Sequence, residues 1–169
     1  DASAAKLNSA KKTLKQLAAI ATAKHKLYVS AQNELKMKTK QADLAMKHLQ
    51  IAQASVSSGK RAIGKLAANA YVSGGGFTDL DSILNADGPQ DLADRLSALD
   101  AVGQNNSTAL DRYKSAEVVA SSAQKVADTA KQAQAAATIK VASAKKVAEA
   151  AEAMQQEEVD KLQAVQNKL

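Results

Sequence analysis

Few side chains in this sequence have the spacing that binding or catalytic chemistry requires. His25 and His48 lie far apart, and neither has a second histidine or cysteine three or four residues away, as a metal site on one helix requires. The sequence contains no cysteine, which excludes disulfides, thiolate metal sites and a cysteine nucleophile within this chain. Both histidines are therefore predicted to be exposed on the flanks of a helix.

Two further patterns approach an ion-binding motif without completing one. Ser73-Gly74-Gly75-Gly76 suggests a phosphate loop, but no Lys-Ser/Thr pair follows and no predicted strand precedes it. The acidic residues 79, 81, 87, 91 and 94 lack the spacing and the distal glutamate of a calcium loop. The sequence predicts no catalytic residues, no metal site and no cofactor, and hence a chain that is not itself an enzyme.

The elements around these residues are two long helices with a seven-residue repeat. On the first helix, ten heptads place these residues at the two seam positions: Leu7, Ala10, Leu14, Leu17, Ala21, Lys24, Tyr28, Ala31, Leu35, Lys38, Ala42, Ala45, Leu49, Ala52, Val56, Gly59, Ile63, Leu66, Ala70 and Ser73. Such a repeat is typical of a coiled coil. Gly59 is expected either to let the opposite helix approach closely or to mark a bend.

A second seam runs from Ala109 to Leu169, and Val119, Val126, Val147 and Met154 are expected to widen it. Antiparallel pairing predicts that facing residues have numbers adding to about 175. Gly59 would then face Ala116, Ile63 would face Tyr113, and Lys24 would lie beside Glu149 and Glu152. The predicted fold is all-α, a long antiparallel two-helix coiled-coil hairpin with a short helical tip subdomain.

The tip segment, residues 71–100, differs in composition from the rest of the chain. Three glycines end the first helix, Thr78 is expected to cap a short helix with Asp79 and Asp81 in its first turn, and Pro89 is expected to begin the next helix. We divide the single predicted domain into a first arm (1–73), a tip subdomain (74–103) and a second arm (104–169). The stretch 103–107 is interpreted either as continuous helix, which we favour, or as a break.

Composition and charge limit the partners. Aromatic residues make up 2% of the chain, so a thick core is not expected. The net charge of +6 is concentrated in the first arm, whereas the tip segment is acidic. No apolar run is long enough to span a membrane. The lysines have no interleaved aromatic residues, so no nucleic acid is predicted as a partner. An anionic polymer or surface is a possible partner of the basic arm.

The tip segment resembles a known family. Ala70-Tyr71-Val72-Ser73-Gly74-Gly75, followed by Leu80, Ile83-Leu84-Asn85-Ala86-Asp87-Gly88-Pro89-Gln90-Asp91-Leu92-Ala93-Asp94-Arg95-Leu96, is similar to the tip of the N-terminal coiled-coil domain of secreted bacterial peptidoglycan hydrolases. These are NlpC-type cysteine endopeptidases, particularly of actinobacteria, and related division hydrolases. The match covers about 30 residues, and nothing here corresponds to that family's catalytic domain.

The resemblance implies a non-catalytic regulatory or targeting module outside the cytoplasm, in the secreted or cell-envelope compartment. Such a module either restrains the parent's own catalytic domain or docks on the extracellular loop of an FtsX-like membrane protein in a division complex. Its basic first arm would also suit an anionic cell-wall polymer as a partner. The expected partner-binding residues are those that could form an apolar patch at the tip: Phe77, Leu80, Ile83, Leu84, Leu92 and Leu96.

Three other interpretations stay open. The six apolar tip residues could bury one another and Tyr71 in a small core with no docking role. The hairpin could be a structural spacer or adaptor in the cell envelope. A two-helix protein this thin could also form a homodimer, and the sequence does not give the oligomeric state.

Overall fold

The structure, a computed structural model, describes residues 2–72, 83 and 85–167. Helix α1 runs from Ala2 to Val72 and helix α2 from Pro89 to Gln166. No β-strand occurs among the described residues. Neither helix has an apolar stretch of the length and hydropathy needed to cross a membrane. Helix α2 is continuous through residues 103–107, as we favoured from the sequence.

The chain packs as two compact units. The first, unit 1, combines Asp1–Asp43 with Thr129–Leu169, and the second, unit 2, is Leu44–Asp128. The predicted tip subdomain lies within unit 2. Residues 73–82 and 84 are outside the described residues, so the predicted capping by Thr78, Asp79 and Asp81 stays a prediction, as does the division into arms and tip.

In unit 1 the two helices run antiparallel. The Thr39 hydroxyl accepts a hydrogen bond from the side-chain amide of Gln134, 3.2 Å away. The Lys140 ammonium lies 2.6 Å from the Glu34 carboxylate. From the first contact to the second, the residue number falls on α1 and rises on α2. The two helices therefore run antiparallel. The residue numbers of each pair add to within a few of the predicted 175.

One polar contact of unit 1 differs from the expectation. Lys24 was predicted beside Glu149 and Glu152, but Glu152 lies 4.0 Å from His25 instead. Glu149 lies 3.8 Å from Lys145, on its own helix. His25 follows Lys24 and projects to the outer flank that Glu152 occupies, whereas Lys24 stays half-buried at the seam.

Unit 2 repeats the antiparallel arrangement. A Cβ atom built on Gly59 would lie 3.3 Å from the Cα of Tyr113, so the two backbones approach closely there. Tyr113 lies about one helical turn from the predicted neighbour, Ala116. Of the two expectations for Gly59, close approach is therefore confirmed. Together the units confirm an all-α fold of two antiparallel helices, a helical hairpin.

The pattern of burial confirms the heptads. Every predicted seam residue from Leu7 to Leu66 on α1, and from Ala109 to Leu162 on α2, is buried or half-buried. Ala70 and Val165 are exposed. Among the described residues, the buried core contains one large side chain, Leu49, and otherwise only alanines: Ala21, Ala31, Ala42, Ala45, Ala52, Ala127, Ala137, Ala148 and Ala151. Small side chains at the seam allow the helices to approach closely, but each contact buries little area.

The expected widening of the second seam is wrong. Val119, Val126, Val147 and Met154 are all exposed. Each of these residues precedes a seam residue by one position, and therefore lies on one flank of the α2 seam. Because a seam of alanine side chains is narrow, α1 does not cover this flank. These side chains therefore remain in solvent as an unpartnered apolar face.

Two glycines of α1 offer a matched test of the close approach. Gly64→Ala should raise the free energy of unfolding by about 0.5–1 kcal/mol, because alanine is the better helix former and nothing lies within 4 Å of the added Cβ. Gly59→Ala should give no gain, because its Cβ would lie 3.1 Å from Tyr113 Cδ2 and 3.3 Å from a backbone atom that cannot rotate away. Urea unfolding followed by circular dichroism measures both, and equal gains would contradict the close approach.

Candidate functional site

The predicted partner-binding residues are only partly described. Phe77, Leu80 and Leu84 lie outside the described residues. Ile83 and Leu92 are half-buried, and Leu96 is 48% exposed. An exposed Leu96 is what a docking surface requires, whereas half-burial of Ile83 and Leu92 suits either interpretation. The assignment of these six residues to a partner site stays a prediction.

Among the described residues of unit 2, the most exposed large apolar side chains are at the end of α1. Tyr71 is 88% exposed and Val72 is 85% exposed. The sequence predicted neither residue in the site and suggested Tyr71 only as part of a small core. The heptad repeat itself indicated that Tyr71 is exposed. Tyr71 directly follows the seam residue Ala70, and so occupies the same heptad position, facing away from the seam, as Gly64.

The start of α2 has a well-defined cap. Gly88 has a φ of 141°, a backbone conformation that residues with a Cβ rarely adopt. Its carbonyl accepts the first hydrogen bond of the helix from the Leu92 N–H, at 3.0 Å. Pro89 follows at the first helical position, where its fixed φ suits the helix and its missing N–H is not needed. Just before the cap, the chain forms a turn in which the Ala86 N–H donates a hydrogen bond to the Ile83 carbonyl, at 3.3 Å.

The Asp91 carboxylate stabilises this cap through two interactions. Its Oδ2 accepts a hydrogen bond from the backbone N–H of Asp87 at 2.9 Å and lies 2.8 Å from a guanidinium nitrogen of Arg95. A carboxylate in the first helical turn also interacts favourably with the helix dipole. The hydrogen bond from Arg95, followed by that from Asp87, lowers the pKa of the Asp91 carboxyl below its ordinary value. Asp91, Arg95 and the backbone of Asp87 thus form one hydrogen-bonded cap.

The lowered pKa of Asp91 predicts how this cap responds to acid. A carboxyl whose pKa is depressed by folding stabilises the folded state above its unfolded pKa, about 3.9, and that stabilisation is lost as pH falls through the folded value. Hydrogen-exchange protection of the Leu92 amide should therefore fall below about pH 4 in the unmodified chain. In Asp91→Asn, protection should be lower at neutral pH and should lose this acid-dependent step.

Asp94→Asn is the control for this measurement. Asp94 lies on the same turn, where its carboxylate accepts a 3.4 Å hydrogen bond from the Gln90 side chain, but it does not bond to the cap. The acid-dependent step should persist in this variant. A step that persists in Asp91→Asn would show that the acid response of the cap does not come from Asp91.

The described residues also bear on metal binding. His25 and His48 are exposed, as predicted. Within residues 2–72, 83 and 85–167, no three histidine, cysteine or acidic side chains are grouped so that they could hold a metal ion. Unit 2 thus contains a capped helix start at Pro89 and, at the end of α1, exposed apolar side chains, features suited to contact with another macromolecule.

Comparison with known proteins finds no match, either to a family model or to a curated protein. The likeness of the tip segment to peptidoglycan hydrolases therefore rests on the residues quoted above.

Proposed function

We propose that this chain is a non-catalytic helical-hairpin module of a secreted peptidoglycan hydrolase, which restrains that enzyme or docks it on a membrane division complex through the tip segment. The observation that carries the proposal is the near-complete exposure of Tyr71 and Val72. Large apolar side chains at the surface of a soluble protein, when they are contiguous, usually mark a binding surface. These two belong to the stretch that resembles the hydrolase family.

The capped start of α2 supports the same proposal. Gly88, Pro89 and the Asp91–Arg95 pair fix where this helix begins, and Leu96 follows one turn later with about half of its surface exposed. An apolar side chain on a rigid helix loses less conformational entropy on binding than one on a free chain. The cap would thus present Leu96 to a partner in a fixed direction.

Charge adds a second element to the proposed surface. The tip segment is the acidic part of a chain whose net charge is +6. Charges at the rim of an interface speed the diffusional encounter of the two proteins, and they favour partners whose surface charge has the opposite sign. A partner surface with an apolar centre and a basic rim therefore suits this tip best. Such a surface could lie on the extracellular loop of an FtsX-like protein or on the parent's own catalytic domain.

The test is binding of the chain to each of those two domains, purified separately, by biolayer interferometry. Tyr71→Asp and Leu96→Asp should each weaken binding at least tenfold, because a buried unpaired carboxylate is unfavourable in an apolar contact. Val118→Asp is the control, since Val118 is 69% exposed in the same unit but lies about six turns from Leu96 along α2.

The outcomes separate the proposal from its alternative. Loss of binding in the two tip variants, with binding retained in the control, supports docking through the tip. Unchanged binding by tip variants that keep their helical circular dichroism would refute it. Absence of binding to either domain would favour the structural spacer or adaptor in the cell envelope.

A further inference from the structure

Unit 1 has an open groove along one side of the seam. It is lined by Leu27 and Ser30 from α1 and by Ile139, Lys140 and Val147 from α2, among other residues. Leu27 is 59% exposed and Ile139 is 71% exposed. The floor is formed by small residues that include Ala31 and Ala144. The groove therefore has large apolar walls and a shallow floor.

The apolar surface continues beyond the groove in both directions. Ile20 precedes Leu27 by one heptad, Met154 follows Val147 by one heptad, and Met37 follows Ser30 by one heptad, so helical spacing places all three on the same side. All three are more than 45% exposed. We call this surface, formed by Ile20, Leu27, Met37, Ile139, Val147 and Met154, the groove face.

The groove face carries little charge in a strongly basic chain. Between residues 16 and 41 of α1, and between 133 and 154 of α2, the positions that heptad spacing places on this side carry three charges: Glu34, Lys140 and Lys146, which follows Ile139 by one heptad. Glu34 and Lys140 already neutralise each other across the helices at 2.6 Å. The seam residue Lys24 also lines the groove and contributes one positive charge at its floor.

The back and the opposite flank of α1 are different. Exposed lysines occupy them, at Lys11, Lys12, Lys15, Lys26, Lys36 and Lys40. Two copies that met through those sides would bring like charges together, which is unfavourable. Two copies that met through the groove face would bring their apolar side chains together. About a two-fold axis, Glu34 of each copy could then pair with Lys140 of the other copy.

The area of the groove face is sufficient for a stable contact. The stretch 20–43 of α1 is about 36 Å long at 1.5 Å per residue, and two helices side by side are about 20 Å wide. The face therefore offers roughly 700 Å² per copy, close to the roughly 800 Å² per partner of a standard interface.

We infer that the groove face is the interface with a second copy of this chain. The two copies form a four-helix bundle in unit 1, with the apolar walls of one copy against those of the other and the two Glu34–Lys140 pairs within the interface. This inference does not depend on the proposed function, because it concerns unit 1 and not the tip.

Sedimentation velocity of the full 169-residue chain, from low to several hundred micromolar, tests the inference. The unmodified chain should show a monomer–dimer equilibrium, and Leu27→Lys should raise its dissociation constant at least tenfold. Val29→Lys is the matched control: Val29 is also exposed, at 39%, but lies on the opposite flank two residues away. It should leave the dissociation constant unchanged.

A charge exchange gives a second, independent arm of the test. Glu34→Lys should weaken the dimer, because it places like charges at the interface. Adding Lys140→Glu should restore it, because the double variant keeps one opposite pair per copy. Lys140 is exposed and Glu34 is half-buried, and helical circular dichroism checks that each variant is folded.

Three results would overturn the inference: a monomer at every concentration, equal weakening by Leu27→Lys and Val29→Lys, or no recovery in the Glu34/Lys140 double variant. The first would show that the groove face is not a self-interface. The second and third would place any dimer contact on another surface.

Discussion

Leu49→Ala is expected to lower the free energy of unfolding by about 2–4 kcal/mol, the largest loss for any single truncation in the described core. Leu49 is 5% exposed and, among the described residues, is the only large side chain in a buried core otherwise made of alanine. Its loss removes buried apolar area and leaves a cavity. The alanines around it are too small to fill that cavity without movement of the helices. Urea unfolding followed by circular dichroism measures the change.

Leu44→Ala is the matched control for this prediction. The substitution is the same and lies in the same helix and the same unit, but Leu44 is 55% exposed. Its effect should be within about 0.5 kcal/mol of zero, as for most surface substitutions. If both variants lost the same stability, the assignment of Leu49 to the core would be wrong.

Ala127→Leu is the second change with a large expected effect, a loss of about 1–3 kcal/mol. Ala127 has no exposed surface, so a larger side chain can enter only by pushing α1 and α2 apart. Leucine and alanine have similar helix propensities, so the loss reports on packing between the helices. Thermal and urea unfolding both measure it.

Ala101→Leu, at an exposed position of the same helix, controls for the change of residue type. Its effect should be close to zero. A gain in stability for Ala127→Leu would show that the seam has room for a larger side chain. That result would contradict a core in which alanine sets a close approach of the helices.

The seam was predictable because it depends on a local property. In a helix, the residue type at every third or fourth position decides which side is apolar, so Leu7 to Leu66 and Ala109 to Leu162 could be assigned without knowledge of the partner helix. The same local reasoning placed Pro89 at a helix start and favoured helix through Gly103. These features follow from backbone geometry and from propensities that act within a few residues.

The candidate site was only partly predictable. Leu96 could be named from its spacing on α2, but its exposure depends on what packs beside it. Tyr71 was considered for a small core, and its exposure follows from its position one residue past Ala70. The cap needed the structure, because Asp91 bonds both to the backbone of Asp87 and to Arg95, and sequence alone gave only its place in the first turn.

The sequence by itself thus determined that the chain forms two antiparallel helices with an alanine-rich seam, because periodicity specifies one side of each helix. The tertiary structure alone decided which residues meet across that seam and which flanks stay uncovered. Gly59 lies closest to Tyr113, about one turn from the predicted Ala116, and Val147 and Met154 are exposed beside the seam. The physical reason is that alanine side chains constrain the approach of two helices closely but constrain their register weakly, since successive alanines are nearly interchangeable along the seam.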